Sequence, residues 1–80
     1  MSETSTLIGR RLRELREARG WTLRELAIAC QKEAGTLPPF TETLLSRWER
    51  GPAEPRASDL AILARGFGVD VADLARAAAA

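Results

Sequence analysis

TETLLSRWERG, residues 41–51, sorts itself into two faces when wound at 3.6 residues per turn. Leu44, Leu45 and Trp48 fall within one narrow arc, and Glu42, Thr43, Ser46, Arg47 and Arg50 fall on the opposite arc. The Thr41 hydroxyl is suited to cap the first turn. Gly51 is expected to close the helix in a left-handed conformation, and Pro52 forbids its continuation. The stretch therefore predicts a short helix over 41–50, anchored by its apolar side and presenting polar side chains outward.

Upstream of it lies GTLPPF, residues 35–40, where two consecutive prolines forbid helix and stiffen the connection. Phe40 is positioned to staple onto Leu45 across the Thr41 cap. Before this comes the strongest start signal in the chain. Thr22 and Glu25 spell the capping box T-x-x-E, and Trp21 and Leu26 flank it as a hydrophobic staple. Leu23, Leu26, Ala27, Cys30 and Ala34 share one face, so a second helix is predicted to run to about Ala34 and stop at Gly35. A first helix is predicted from near Thr6 to Gly20, with Ile8, Leu12 and Leu15 as its buried stripe. Residues 1–5 are polar and expected to fray.

Downstream, GPAEPR reads as a loop. A fourth helix follows over 57–67, with Leu60, Leu63, Ala64 and Phe67 inward. Gly66 weakens it and Gly68 stops it. Val69 enters the core, and Asp70 caps a fifth helix with Val71, Leu74 and Ala75 inward. Ile62 points away from the apolar face of its helix. It is either an isolated exposed residue, which is ordinary, or part of a dimer seam with the alanine tail at 77–80. No strand pattern or internal repeat appears. The expected fold is all-α, a compact bundle of five short helices spanning residues 6–76, with a long turn between helices 2 and 3.

Eighty residues make one small domain. Such a chain buries only about 60% of its unfolded surface, so help from a second subunit is plausible. Net charge is +1, but residues 7–19 hold five arginines against two glutamates. The absence of histidine and the single cysteine argue against a histidine base, a Cys/His metal site or an intrachain disulfide. No metal, cofactor or enzymatic constellation is expected. No apolar run approaches the roughly 20 residues that span a bilayer, and no secretory signal pattern opens the chain. The default compartment is the cytoplasm. Cys30 reads as a small buried apolar residue, and the arginines of the first helix read as partners of glutamates four away, Arg10 with Glu14 and Arg13 with Glu17.

Three blocks carry a resemblance: IGRRLRELREARGWTLRELA at 8–27, LLSRWERG at 44–51 and LAILARGFGVDVADL at 60–74. In this order they resemble the Xre/Cro-type helix-turn-helix family, the lambda-repressor-like DNA-binding domain of many bacterial and phage repressors. The resemblance implies that residues 41–50 form the recognition helix of a helix-turn-helix. The base-reading positions fall on Glu42, Thr43, Ser46 and Arg47. Thr41 opens that helix on the same DNA-facing side. A basic residue approaching the backbone after the next loop falls on Arg56. The family's buried pair between the first and third helices falls on Arg16 and Glu49, a structural role.

Chemistry sorts these positions further. Arg47 can pair bidentately with guanine, Glu42 can accept from cytosine N4, and Thr43 can offer its methyl to thymine. Arg24, Arg50 and Arg56 are suited to phosphate. The chain departs from the family pattern in three places. The region from Gln31 to Phe40 is about eight residues longer than the family's short turn. Leu23 stands where a polar phosphate-binding side chain is common. Glu33, Glu42 and Glu54 lie near the expected DNA face. The implied function is a sequence-specific transcriptional regulator, a repressor, binding an inverted repeat in double-stranded DNA as a homodimer. The competing reading is a protein-interaction or antitoxin-like module that keeps the same bundle and turns its polar face to a protein.

Overall fold

The computed structural model describes residues 6–35 and 40–74. Four helices follow one another: α1 (Leu7–Ala18), α2 (Leu23–Ala34), α3 (Glu42–Arg50) and α4 (Ala57–Phe67). A further helical turn, which we label α5, begins at 71–74. No strand occurs among the described residues. The chain is all-α, as its periodicity predicts. The expected fraying of 1–5, the inward face of Ala75 and the alanine tail lie outside the described residues.

Local signals set the helix starts. Thr6, Thr22 and Thr41 each accept a hydrogen bond from the backbone N–H three residues on, at Gly9, Glu25 and Leu44. Glu25 returns the bond to the Thr22 N–H at 2.8 Å, completing the capping box. At α4 the roles are simpler: the Asp59 carboxylate accepts from the Arg56 N–H at 3.0 Å. Gly35 and Gly68 end α2 and α4 with φ of 64° and 74°, which a Cβ would oppose.

The helices pack α1 against α3 and α2 against both α3 and α4. Each of the five helical segments contributes one leucine that is fully buried: Leu12, Leu26, Leu45, Leu63 and Leu74. Phe40 meets Trp48 edge-on, with ring centroids 5.9 Å apart. At the opposite end Trp21 stacks on Phe67 at 5.8 Å, and the Arg19 guanidinium lies over both rings while donating to the Phe67 carbonyl at 2.5 Å. Trp21 thus engages a residue of α4, and Phe40 engages a residue further along α3. Arg19 adds a lock between the end of α1 and the end of α4 that periodicity does not reveal.

Two glycines mark where helices touch closely. A Cβ on Gly9 would land on the Trp48 carbonyl, well inside van der Waals contact, so α1 and α3 meet there backbone to backbone. A Cβ on Gly66 would stand 3.2 Å from the Cys30 sulfur. Gly66 thus lets α4 approach α2, which is a reason for a glycine in a helix beyond the weakening expected of it.

Several expectations are corrected. Ile62 is buried, as are its neighbours Leu63 and Ala64. Three consecutive helical residues span about 200° of arc, so α4 is covered from more than one side and Ile62 is no exposed seam. Val71 is 45% exposed, because Leu74 takes the inward position of that turn and Val71 is left at its rim. Gly51 is extended, with φ −99° and ψ 180°. The residue before a proline is driven out of helical conformations, and Pro52 has that effect here. The glycine serves proximity instead, since a Cβ would stand 2.9 Å from the Arg47 carbonyl. Finally, Glu14 pairs with Arg11 at 3.4 Å and not with Arg10, while Arg13 pairs with Glu17 at 3.2 Å as spaced.

Candidate nucleic-acid interface

The apolar arc of α3 is held from below. Leu45 and Trp48 are buried and Leu44 half-buried. Beside them Glu49 is 3% exposed, a charged group that needs full compensation at that depth. Arg16 supplies it. Its Nε donates to Glu49 Oε2 at 2.7 Å and its Nη2 to Oε1 at 3.0 Å, a bidentate fork. The remaining Nη1 donates to the Trp21 carbonyl at 2.8 Å. One guanidinium thereby ties α1, the α1–α2 turn and α3 together. The hydrogen bond to Glu49 raises the Arg16 pKa above its ordinary value, against the opposing effect of burial. No buried side-chain polar atom among the described residues lacks a partner.

The polar arc of α3 faces out. Glu42, Thr43, Ser46, Arg47 and Arg50 line an open depression together with Leu23 and Gly51. Arg24, Thr41 and Glu42 border the adjoining depression, with Ala27, Ile28, Gln31 and Phe40. Seven of the eight residues singled out for contact are thus brought onto two adjacent hollows. Arg56 is the exception: it lies outside both, exposed at the start of α4. Glu33 and Glu54 are exposed but line neither hollow.

Within this surface the side chains differ in readiness. Arg47 is exposed and its side chain makes no hydrogen bond or ion pair with any described residue, so its fork is available. Arg50 donates to the Ser46 hydroxyl from Nε at 3.2 Å and from Nη2 at 2.7 Å. Ser46 therefore accepts from Arg50 and keeps its own proton to donate. The Thr41 oxygen accepts from the Leu44 N–H while its proton likewise remains. Glu42 sits in the first turn of α3, where the helix dipole favours a carboxylate. Arg24, Arg47 and Arg50 outnumber it, so the surface is net positive. Leu23, assigned to the inner face by its spacing, is half-buried and reaches the outer hollow as well. Its place beside α3 depends on how the two helices cross, which no spacing within α2 encodes.

Part of the anticipated long connection is helical. α2 runs on through Gln31 to Ala34 and absorbs part of the extra length, and the chain re-enters α3 through Phe40 and Thr41. Nothing in the sequence distinguishes Gln31 from the polar Lys32 and Glu33 that follow it. The Gln31 side chain contacts both ends of the connection. No group of three His, Cys, Asp or Glu residues able to hold a metal exists among the described residues. No described helix is long and apolar enough to cross a membrane.

Two capped helices joined by a turn, the second clamped on one side and open on the other, define a helix-turn-helix. Residues 7–77 match the family described as helix-turn-helix domain, and the chain belongs to that family. It is similar to the clp gene regulator ClgR from C. glutamicum, known from a crystal structure. The two share 36% sequence identity and superpose with a TM-score of 0.72, over 91% of this chain and 84% of that one. No curated protein matches the sequence.

Proposed function

We propose that this protein is a sequence-specific DNA-binding transcriptional regulator of the Xre/Cro type, acting as a repressor, with α3 as its recognition helix. The observation that carries the reading is the division of α3: one side locked by Trp48, Leu45 and the Arg16–Glu49 fork, the other open with Arg47 unengaged. A rigid helix with an unused arginine fork suits the major groove, where guanine offers two acceptors side by side. The family and the similarity to a protein named as a gene regulator support the same reading.

In this reading Arg47 reads guanine, Thr43 packs on a thymine methyl, Glu42 accepts from cytosine N4, and Ser46 donates to a base or phosphate. Arg24, Arg50, Arg56 and the Thr41 hydroxyl hold phosphates and set the register. The protein binds as a homodimer to an inverted repeat, with half-sites roughly 34–36 Å apart, one turn of the duplex. Affinity falls steeply with salt as counterions are released.

Selection of bound duplexes from a random pool by the full chain tests this. The expected result is an enriched inverted repeat of that spacing. Failure to bind any duplex at low salt would overturn the reading and favour a protein-interaction module using the same face, for which the exposed Glu42 is the best argument.

A further inference from the structure

One side chain of α2 reaches both described ends of the α2–α3 connection. The Gln31 Nε2 donates to the Gly35 carbonyl at 3.2 Å, and its Oε1 accepts from the Phe40 N–H at 3.0 Å. The Gln31 backbone carbonyl also accepts from the Gly35 N–H at 3.1 Å. A single residue of α2 thus grips the point where the chain leaves that helix and the point where it enters the next. Phe40 immediately precedes the Thr41 cap, and its ring rests edge-on against Trp48 of α3. The amide of Gln31, the Phe40 backbone, the Thr41 cap and the first turn of α3 form one continuous chain of contacts.

We infer that Gln31 is a positioning residue for DNA recognition: its side-chain amide sets the offset of α3 on α2, and so the aim of Glu42, Thr43 and Arg47. The inference rests on the DNA-binding reading above and deepens it. Both ends of the Gln31 amide are taken up by Gly35 and Phe40, so its action is through α3. It replaces, with two neutral hydrogen bonds, the constraint that a short turn imposes through chain length alone. The connection here spans seven residues, 35–41, more than the few of a short turn. Base hydrogen bonds form only within about 2.7–3.2 Å and near-linear geometry, whereas attraction to phosphate tolerates a shift of an ångström. Loosening Gln31 therefore removes selectivity before it removes affinity.

Two substitutions separate the parts of the clasp. Gln31→Met keeps length and helix preference and loses both bonds. Gln31→Glu keeps the acceptor for Phe40 and loses the donor to Gly35. Each full-length variant is titrated against the duplex that the wild-type chain selects from a random pool, and against a scrambled duplex of equal composition. The quantity read is the ratio of the two affinities, which cancels the added charge of the glutamate.

With Gln31→Met the ratio falls about tenfold, the size of one misaligned base contact, while the scrambled duplex binds as before. With Gln31→Glu the ratio stays within about threefold of wild type, and the Phe40 amide stays protected from hydrogen exchange. An unchanged ratio for Gln31→Met overturns the inference. So does an equal loss on both duplexes together with a lower melting temperature, which is the mark of a purely structural residue. Should Gln31→Met not fold, Gln31→Glu decides: lost selectivity with a protected Phe40 amide overturns the assignment. If the wild-type chain selects no duplex at all, it is the DNA-binding reading that fails, and this inference falls with it.

Discussion

Where α1 meets α3, the contact is made of charge and backbone: a buried bidentate ion pair between Arg16 and Glu49, and Gly9 set directly against the Trp48 carbonyl. Where α2 leads into α3, it is made of neutral amides near the surface, with Gln31 bonded to Gly35 and Phe40. The first junction holds the far end of α3, the second its start. A buried fork cannot be loosened without stranding a charge, so it fixes orientation at a high energetic stake. Two neutral hydrogen bonds near the surface contribute little net stability, so they can trim position without endangering the fold. The recognition helix is thus anchored by the strong junction and aimed by the weak one.

The sharpest way to break this contrast is Glu49→Ala. Arg16 would keep its place in the α1–α3 junction without its counter-charge, and about 3–4 kcal/mol of stability should be lost in denaturant unfolding. The double substitution Arg16→Met with Glu49→Leu should recover most of it, since apolar groups of similar volume replace a buried pair well. A loss below about 1 kcal/mol for the single variant would mean that the fork is not the anchor.

Next in size is Gly9→Ala, expected to destabilise by about 2–3 kcal/mol because the new methyl meets unyielding backbone. Gly66→Ala is its control. There the obstacle at 3.2 Å is a cysteine side chain, and the gain in helix preference of about 1 kcal/mol offsets much of the strain. Equal losses at the two sites would show that α1–α3 contact is no tighter than α2–α4 contact.

Arg47→Ala sharpens the comparison from the outer side of the same helix. The residue is exposed and unengaged, so unfolding should change by less than about 0.5 kcal/mol. Binding to a selected duplex should weaken by about 1–3 kcal/mol, with preference relaxed at one base position. A change in stability with none in binding would invert the assignment of the two faces.

At neutral pH the smallest effect concerns Cys30, between α2 and α4. Burial, aided by Glu33, pushes its thiol up to about 12 from an ordinary 9.0. The folded state holds the thiol neutral while the unfolded chain ionises it. Its contribution is therefore fully present below pH 9.0 and is lost progressively as pH rises through about 12. Melting temperature should decline over that window, and Cys30→Ala should flatten the decline. In the folded protein a maleimide should react with Cys30 only as fast as the chain opens. Rapid labelling at neutral pH would show that this junction is looser than its packing indicates.

Much of this was readable from the chain. Thr22 with Glu25, Thr41 with its following turn, and Gly35 and Gly68 at helix ends act through atoms three or four residues away, so each carries its own evidence in sequence. The two-faced pattern of 41–50 likewise named the side that α3 buries and the side it leaves open. The misreadings occurred where one element is judged without its neighbours. Ile62 looked outward because one stripe was assumed, yet α4 is covered from more than one side. Val71 looked inward because it is apolar, yet Leu74 already fills that place. Spacing alone puts Leu23 on the inner face, yet it is half-buried and lines the outer hollow, on the side where the resemblance expects a phosphate contact.

What the order of residues determined unaided is the set of helices, their caps and the polar arc of α3, because these follow from periodicity and from hydrogen bonds that close within one turn. Only the tertiary structure decided that Gly9 is a contact point, that Arg16 also holds the Trp21 carbonyl, that Arg19 bridges to Phe67, and that Gln31 spans the α2–α3 connection. Glycine and arginine look alike in sequence whether idle or engaged. Their roles are set by which atoms arrive from elsewhere in the chain, and that depends on how whole helices cross.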